Sequence, residues 1–305
     1  MKEELLIAGA AELDRSGFLP LPGEKAEDFF ARFKVSEEAF AEFENALKKE
    51  GKVSVFGECE VTAENRIPPE IVAEAAERTR NLYGFENRRV PGFFLSTAVG
   101  ALWGGCMIGD PDNGFAVMLL RSEFRNRSKW YLYERGELLA HELCHAMRQS
   151  LCDVHLEEYF AYQTGKSFLR RNFGNCFIRE RDAWLFILPT FLLLGATIVR
   201  ELGVAALPLL PFWCLAGVYP CFLLLRNFFS IRLVRRAEQK LRLFKIPLPG
   251  AILFRSTLDE IKAIGKLKNQ EEFNAFVETM SQTELRWAII KLRFSDQEKM
   301  KNETC

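Results

Sequence analysis

Ala183–Leu225 reads AWLFILPTFLLLGATIVRELGVAALPLLPFWCLAGVYPCFLLL, and only Arg200 and Glu201 in it carry charge. That pair divides the stretch into Ala183–Val199, 17 residues and at the short end for a bilayer span, and Leu202–Leu225, 24 residues and long enough to cross with some tilt. Pro189, Pro208, Pro211 and Pro220 fall inside these runs, where membrane helices tolerate proline better than soluble ones do. A two-residue break is too short to hold a domain, so the runs are expected to form a helical hairpin with its turn at the far face. The alternative is a buried core hairpin of a large soluble fold, which so long a charge-free stretch disfavours.

Both flanks of the hairpin are basic. Arg170, Arg171, Arg179 and Arg181 precede it, and Arg226, Arg232, Arg235, Arg236, Lys240, Arg242 and Lys245 follow, with Glu238 as the only acid among the latter. The positive-inside rule then puts both termini and both soluble parts in the cytoplasm, making a two-pass integral membrane protein. The cluster over 226–245 suits anionic lipid headgroups; its plainer reading is a solvated topology signal.

Outside the hairpin the chain reads as an ordinary charged protein. It has 305 residues, 41 Lys+Arg against 41 Asp+Glu, and a pI near 6.9. Zero net charge argues against a nucleic-acid partner, which needs a basic excess to displace phosphate counterions. Twenty-seven phenylalanines give enough burial to exclude global disorder. Eight scattered cysteines form no Cys-x-x-Cys pair and suit a reducing compartment. After Met1-Lys2-Glu3-Glu4 no uninterrupted apolar run precedes Glu12, so no signal peptide is expected.

Periodicity predicts helices over most of the rest. Phe29, Phe30, Phe33, Phe40 and Phe43 recur at helical spacing after a break at Leu19–Gly23, and Pro68-Pro69 opens a helix that stops near Gly84. Phe93–Thr97 and Phe115–Arg121 are short β-type runs, with a strong turn signal at Asp110–Gly114 between them. A helix begins near Glu134, and a second runs from about Leu156 to Phe168. In the tail, Thr257-Leu258-Asp259-Glu260 has the form of a capping box, and Ser281–Arg293 reads as an amphipathic helix. The fold expected is α+β and mostly helical. It comprises a domain over residues 1–180, the hairpin over 181–226 and a helical C-terminal region over 227–305.

All three histidines lie between residues 141 and 155, and two of them make His141-Glu142-Leu143-Cys144-His145, an H-E-x-x-H pattern. Three histidines placed at random would give it on the order of once in a thousand such chains. Spacing i, i+4 stacks both imidazoles on one helix face, where they can share a metal ion. Glu142 lies alongside, where it can hold a zinc-activated water and take its proton. Two histidines packed in a core helix are the plainer alternative. Cys144 faces away from the metal side.

Glu157-Glu158-Tyr159-Phe160-Ala161-Tyr162 follows, and here the chain resembles the gluzincin branch of the zincin metallopeptidases. Over residues 137–162 it is similar to the integral-membrane heat-shock and prenyl-protein peptidases, whose third ligand is the glutamate of E-x-x-A-D. The resemblance implies Zn²⁺ held by His141, His145 and Glu158, with Glu142 as general base and Glu157 as the fallback ligand. Tyr162 stands where that family has an acid buttressing a ligand histidine, and only twelve residues separate His145 from Glu158. His155 is a further alternative ligand, and His155, Tyr159 or Tyr162 are open to a transition-state role, with packing the plainer reading of a buried tyrosine. Phe115–Arg121 is a candidate edge strand for holding an extended peptide, or an ordinary sheet strand.

The function expected is that of a membrane-anchored zinc metallopeptidase, its zincin-like catalytic core in the cytoplasmic domain over residues 1–180, acting on protein or peptide substrates, membrane-associated ones and the chain itself included. The alternative is a non-catalytic membrane scaffold whose zinc site is structural or degenerate.

Overall fold

In the computed structural model, which describes residues 2–57, 59–95, 103–110, 112, 114–204 and 206–295, the chain opens with α1 (Lys2–Arg15) and α2 (Ala26–Glu50), parted at the Leu19–Gly23 break. The hairpin of β1 (Lys52–Val55) and β2 (Cys59–Thr62) follows. Next comes α3 (Pro69–Tyr83), started by Pro at its first turn and ended by Gly84 in the left-handed region, φ 69°. The architecture is α+β and mostly helical, as expected.

The sheet is built from β3 (Gly92–Leu95), β4 (Gly105–Gly109) and β5 (Ala116–Arg121) in the order β3-β5-β4, with β3 parallel and β4 antiparallel to β5. Of the expected run Phe93–Thr97, the last two residues lie outside the described residues, as do Pro111 and Asn113 of the turn. That turn joins β5 to β4, a strand the sequence did not signal. Phe94, Met118 and Leu120 face the main core, whereas Phe93, Val117 and Leu119 face a second core with Phe43 and Leu47 of α2. Burial on both faces explains why β5 is a continuous apolar run rather than an alternating one. It also corrects the edge-strand expectation: β5 is central, with a partner on each side, and the edge belongs to β4.

After the short pair β6 (Lys129–Trp130) and β7 (Tyr133–Glu134) come α4 (Arg135–Arg148), α5 (Glu157–Tyr162) and α6 (Phe168–Phe173). The single helix expected over Leu156–Phe168 is thus two short ones, interrupted at Gln163–Ser167.

Two long helices then leave the body of the protein. α7 (Glu180–Glu201) and α8 (Leu210–Leu243) are long and apolar enough to cross a membrane, and only 17% and 11% of their candidate spans are covered by protein. Trp184, Phe191, Trp213 and Val218 are each more than 60% exposed. A buried core hairpin would hide these side chains, so that alternative fails. The connection is longer than Arg200-Glu201. Gly203 is left-handed at φ 68° and Pro208 precedes the next helix, which delays α8 to Leu210. Asp182, 1% exposed, fastens the base of the pair. It accepts from the backbone N–H groups of Ile178 (3.0 Å) and Arg179 (3.1 Å), the Tyr219 hydroxyl (2.7 Å) and Arg226 (2.7 Å).

α8 does not stop where its apolar run ends. At 34 residues it is about 51 Å long, and its basic part carries a buried stripe of Ile231, Val234, Ala237 and Leu241. This stripe packs into the main core with α9 (Pro249–Phe254), α10 (Leu258–Ile264), α11 (Gln270–Thr283) and α12 (Leu285–Ile290). The Thr257–Glu260 capping box forms in both directions. The amphipathic segment over Ser281–Arg293 breaks at Glu284, whose backbone is extended and whose carboxylate accepts from Gly23 N–H (2.8 Å).

Candidate metal centre

α4 supplies His141, Glu142 and His145, and α5 returns against it. The twelve intervening residues suffice because the connection is a pinned tight turn. Cys152 takes a left-handed conformation at φ 49°, and the Asp153 carboxylate accepts from the backbone N–H of His155 (3.2 Å) and from Arg148 (2.9 Å). Arg148 is fully buried, donates to the Phe254 carbonyl and lies over the Phe160 ring at 4.5 Å. A buried guanidinium on α4 thereby fixes where α5 begins.

His141, His145 and Glu158 come together with one ligand atom each, all within 4.8 Å of one another, a group able to hold a metal ion. The two Nε2 atoms are 3.0 Å apart, and each is 3.5 Å from a Glu158 oxygen. Both rings are held from behind: Nδ1 of His145 bonds the Glu157 carboxylate at 2.9 Å, and the His141 ring bonds the backbone carbonyl of Ala161. Acceptors on the far side assign the ring hydrogen of each neutral imidazole to Nδ1. Two lone pairs and a carboxylate then converge with no hydrogen between them. Such a set repels itself until a cation joins it, so the donors fit a divalent metal of the type bound by His and carboxylate ligands.

The electrostatics express the same crowding. Burial, then the charges of His145 and Arg170, hold His141 well below the ordinary imidazole range. Burial also pulls His145 down, but the hydrogen bond to Glu157 and the charges of Glu142, Glu158 and Glu157 outweigh it, lifting His145 to about 9. Glu142, 4% exposed, is raised to about 7, chiefly by burial and despite the neighbouring His145. Burial likewise raises Glu158.

The remaining expected residues divide clearly. Glu157 lies behind His145 rather than in the converging set, and it supplies the buttress that Tyr162 does not. Tyr162 lines the cleft and meets the His141 ring edge-on at 4.6 Å. His155 is exposed in the turn and outside the cleft lining, and Tyr159 is buried in the core. Cys144 is buried on the opposite face of α4, where burial pushes its thiol above the usual range.

Other participants in the site carry no motif in the sequence. The Met107 backbone N–H of β4 bonds Glu142. The cleft, about 550 Å³, runs between β4 and α4 from Trp103 to Ile178, two residues before α7. Arg170 lines it and pairs with buried Glu137 (3.0 Å), which also accepts from Lys166 N–H (2.7 Å) and so ties α4 to α6. The glycine pair Gly104-Gly105 was the available signal for β4, since a side chain at 105 would place its Cβ 2.7 Å from the Leu119 carbonyl oxygen. No protein-family model matches the chain, and neither does any curated protein or solved structure.

Proposed function

We propose that the chain is a membrane-anchored zinc metallopeptidase that hydrolyses peptide bonds beside the bilayer. The observation that carries this reading is the inward convergence of the His141 and His145 Nε2 atoms with Glu158, each imidazole fixed from behind and Glu142 buried alongside. Zn²⁺ held by His141, His145 and Glu158 would supply a Lewis acid. Glu142, buried beside that position, would take a proton from the attacking water and return it to the leaving amine. The outer edge of β4 lies along the cleft. Met118 gives its N–H to the Pro91 carbonyl on the β3 side, so its non-bonded opposite number Met107 turns its own backbone groups outward, its N–H to Glu142 and its carbonyl toward the cleft. An extended substrate could add there as a further strand.

The cleft ends at Ile178, next to the base of α7, which favours membrane proteins or juxtamembrane segments as substrates. Residues before α7 and after α8 share one core, so they lie on the same side of any bilayer that the two helices cross. The basic flanks make that side the cytoplasm.

Metal content and peptide hydrolysis of the detergent-purified whole chain test the reading. H141A and E158A should lose stoichiometric zinc, and E142Q should keep zinc and lose turnover. E157Q should weaken zinc binding roughly 10- to 100-fold, as loss of a ligand's outer partner does. A wild type without zinc sinks the peptidase reading, and zinc with turnover unaffected by E142Q favours the scaffold.

A further inference from the structure

We propose that the groove between α6 and α8 is a binding site for one anionic phospholipid. The proposal rests on the reading that α7 and α8 cross a bilayer, and it assigns a job to the basic end of α8. The groove measures about 900 Å³ and is two-ended. Leu224, Leu225 and Phe228 of α8 line one end and are 49–56% exposed, and Phe168 of α6 lines the wall facing α8. Arg232, Arg235 and Arg236 line the other. Positions 224, 228, 232, 235 and 239 recur every three or four residues, so one face of a single helix passes from apolar to basic.

The arginines differ in their partners. Arg226 is spent on Asp182 (2.7 Å) and Arg242 on Glu238 (2.6 Å), both outside the groove. Arg235 is steadied by Asn172 (2.6 Å). Arg232 and Arg236 meet no carboxylate among the described residues, and no acidic residue lines the groove. Exposed guanidinium forks beside an apolar slot match a phosphodiester that carries acyl chains. Leu224 and Arg232 are about 12 Å apart along the helix. The apolar end runs on into the exposed surface of the α8 span at Phe222, 50% exposed. A lipid enters such a slot laterally. A free phosphate would leave its apolar end unused.

The test is native mass spectrometry of the full chain in neutral detergent, with phosphatidylglycerol and phosphatidylcholine as probes. Wild type should retain one phosphatidylglycerol and prefer it to phosphatidylcholine by roughly tenfold or more. R232Q/R236Q should lower that retention by roughly 30-fold, as two interfacial arginines imply. K240Q/R242Q, off the groove, should leave it unchanged. Equal loss in both double variants, no preference between the lipids, or displacement by millimolar inorganic phosphate each overturns the proposal. Carbonate extraction of the same proteins separates the two readings. Release into the soluble fraction overturns the spans and the lipid site together, whereas firm membrane retention without lipid preference overturns the lipid site alone.

Discussion

Glu142 holds a carboxylate at 4% exposure among His145, Glu157 and Glu158, and its ionisation is therefore costly to the metal-free protein. Its pKa is about 7 in the folded state against 4.5 for a free side chain. Between those values the folded chain keeps a proton that the unfolded chain has lost, so this group lowers stability as pH rises through the window. The penalty is absent below pH 4.5 and complete above about 7, and a shift of this size corresponds to on the order of 3 kcal/mol. Metal-stripped E142Q should accordingly melt higher than wild type at pH 8 and at nearly the same temperature at pH 4.5. Thermal unfolding in detergent at the two pH values measures it; an equal gain at both would show that Glu142 is not held protonated. The motif, with its two rings on one face, could be read from i, i+4 spacing alone. What spacing could not supply was the division of labour between Glu157 and Glu158. Adjacent glutamates project about 100° apart on a helix, and which one meets the Nε2 pair depends on where the Arg148–Asp153 clamp starts α5.

Elements with local signals were legible for local reasons. Pro69 and Gly84 bracket α3, and Thr257 with Glu260 caps α10, because start and stop chemistry resides in a few neighbouring residues. β4 was not legible. Gly105-Cys106-Met107-Ile108-Gly109 shows no alternation, and every residue in it is half-buried between β5 and the cleft. Its place depends on contact with other elements: Gly105 lets the strand approach the Leu119 carbonyl, and this in turn presents Met107 N–H to Glu142. G105A puts a Cβ 2.7 Å from that backbone oxygen, a clash that no side-chain rotation relieves. The strand should shift outward while α4 and α5 stay in place. Turnover should fall by tenfold or more with zinc content unchanged, since misplacement of about 1 Å is enough to cost a large factor in rate. Peptidase assay and metal analysis of the same preparation check this. Loss of zinc in G105A would mean that β4 supports His141, His145 and Glu158 as well as Glu142. The basic end of α8 was obscured differently: the arginines and lysines dominate its composition, and the buried stripe appears only when every third or fourth residue is followed.

Across the whole molecule, the segments on either side of the hairpin complete one another. Tyr83 of α3 stacks on Phe254 of α9 with ring centroids 4.2 Å apart, and Phe160 of α5 meets the same ring edge-on at 5.7 Å. Arg148, which sets the turn between the metal-site helices, donates to the Phe254 carbonyl. At the other end, buried Asp14 of α1 pairs with Arg255 (2.8 Å) and with Arg293, so residues more than two hundred positions apart share one buried charge cluster. Removing one partner from such a cluster strands a buried charge, at a cost of about 3–5 kcal/mol. A fragment ending at residue 180 would lose Phe254, Arg255 and the whole α8 stripe. It would then expose the rear of α4 and α5 to water, along with the apolar surface that Trp287, Ile252 and Leu253 cover. We expect residues 1–180 expressed alone to aggregate and to hold no stoichiometric zinc, although every metal-site residue is present. Adding residues 227–305 as a separate chain should restore soluble, metal-loaded protein, because the interface is a core cut in two rather than a surface contact. Size-exclusion chromatography with metal analysis, on the fragment and on the pair, decides it: a monomeric fragment with one zinc per chain would show that the site folds without the C-terminal helices.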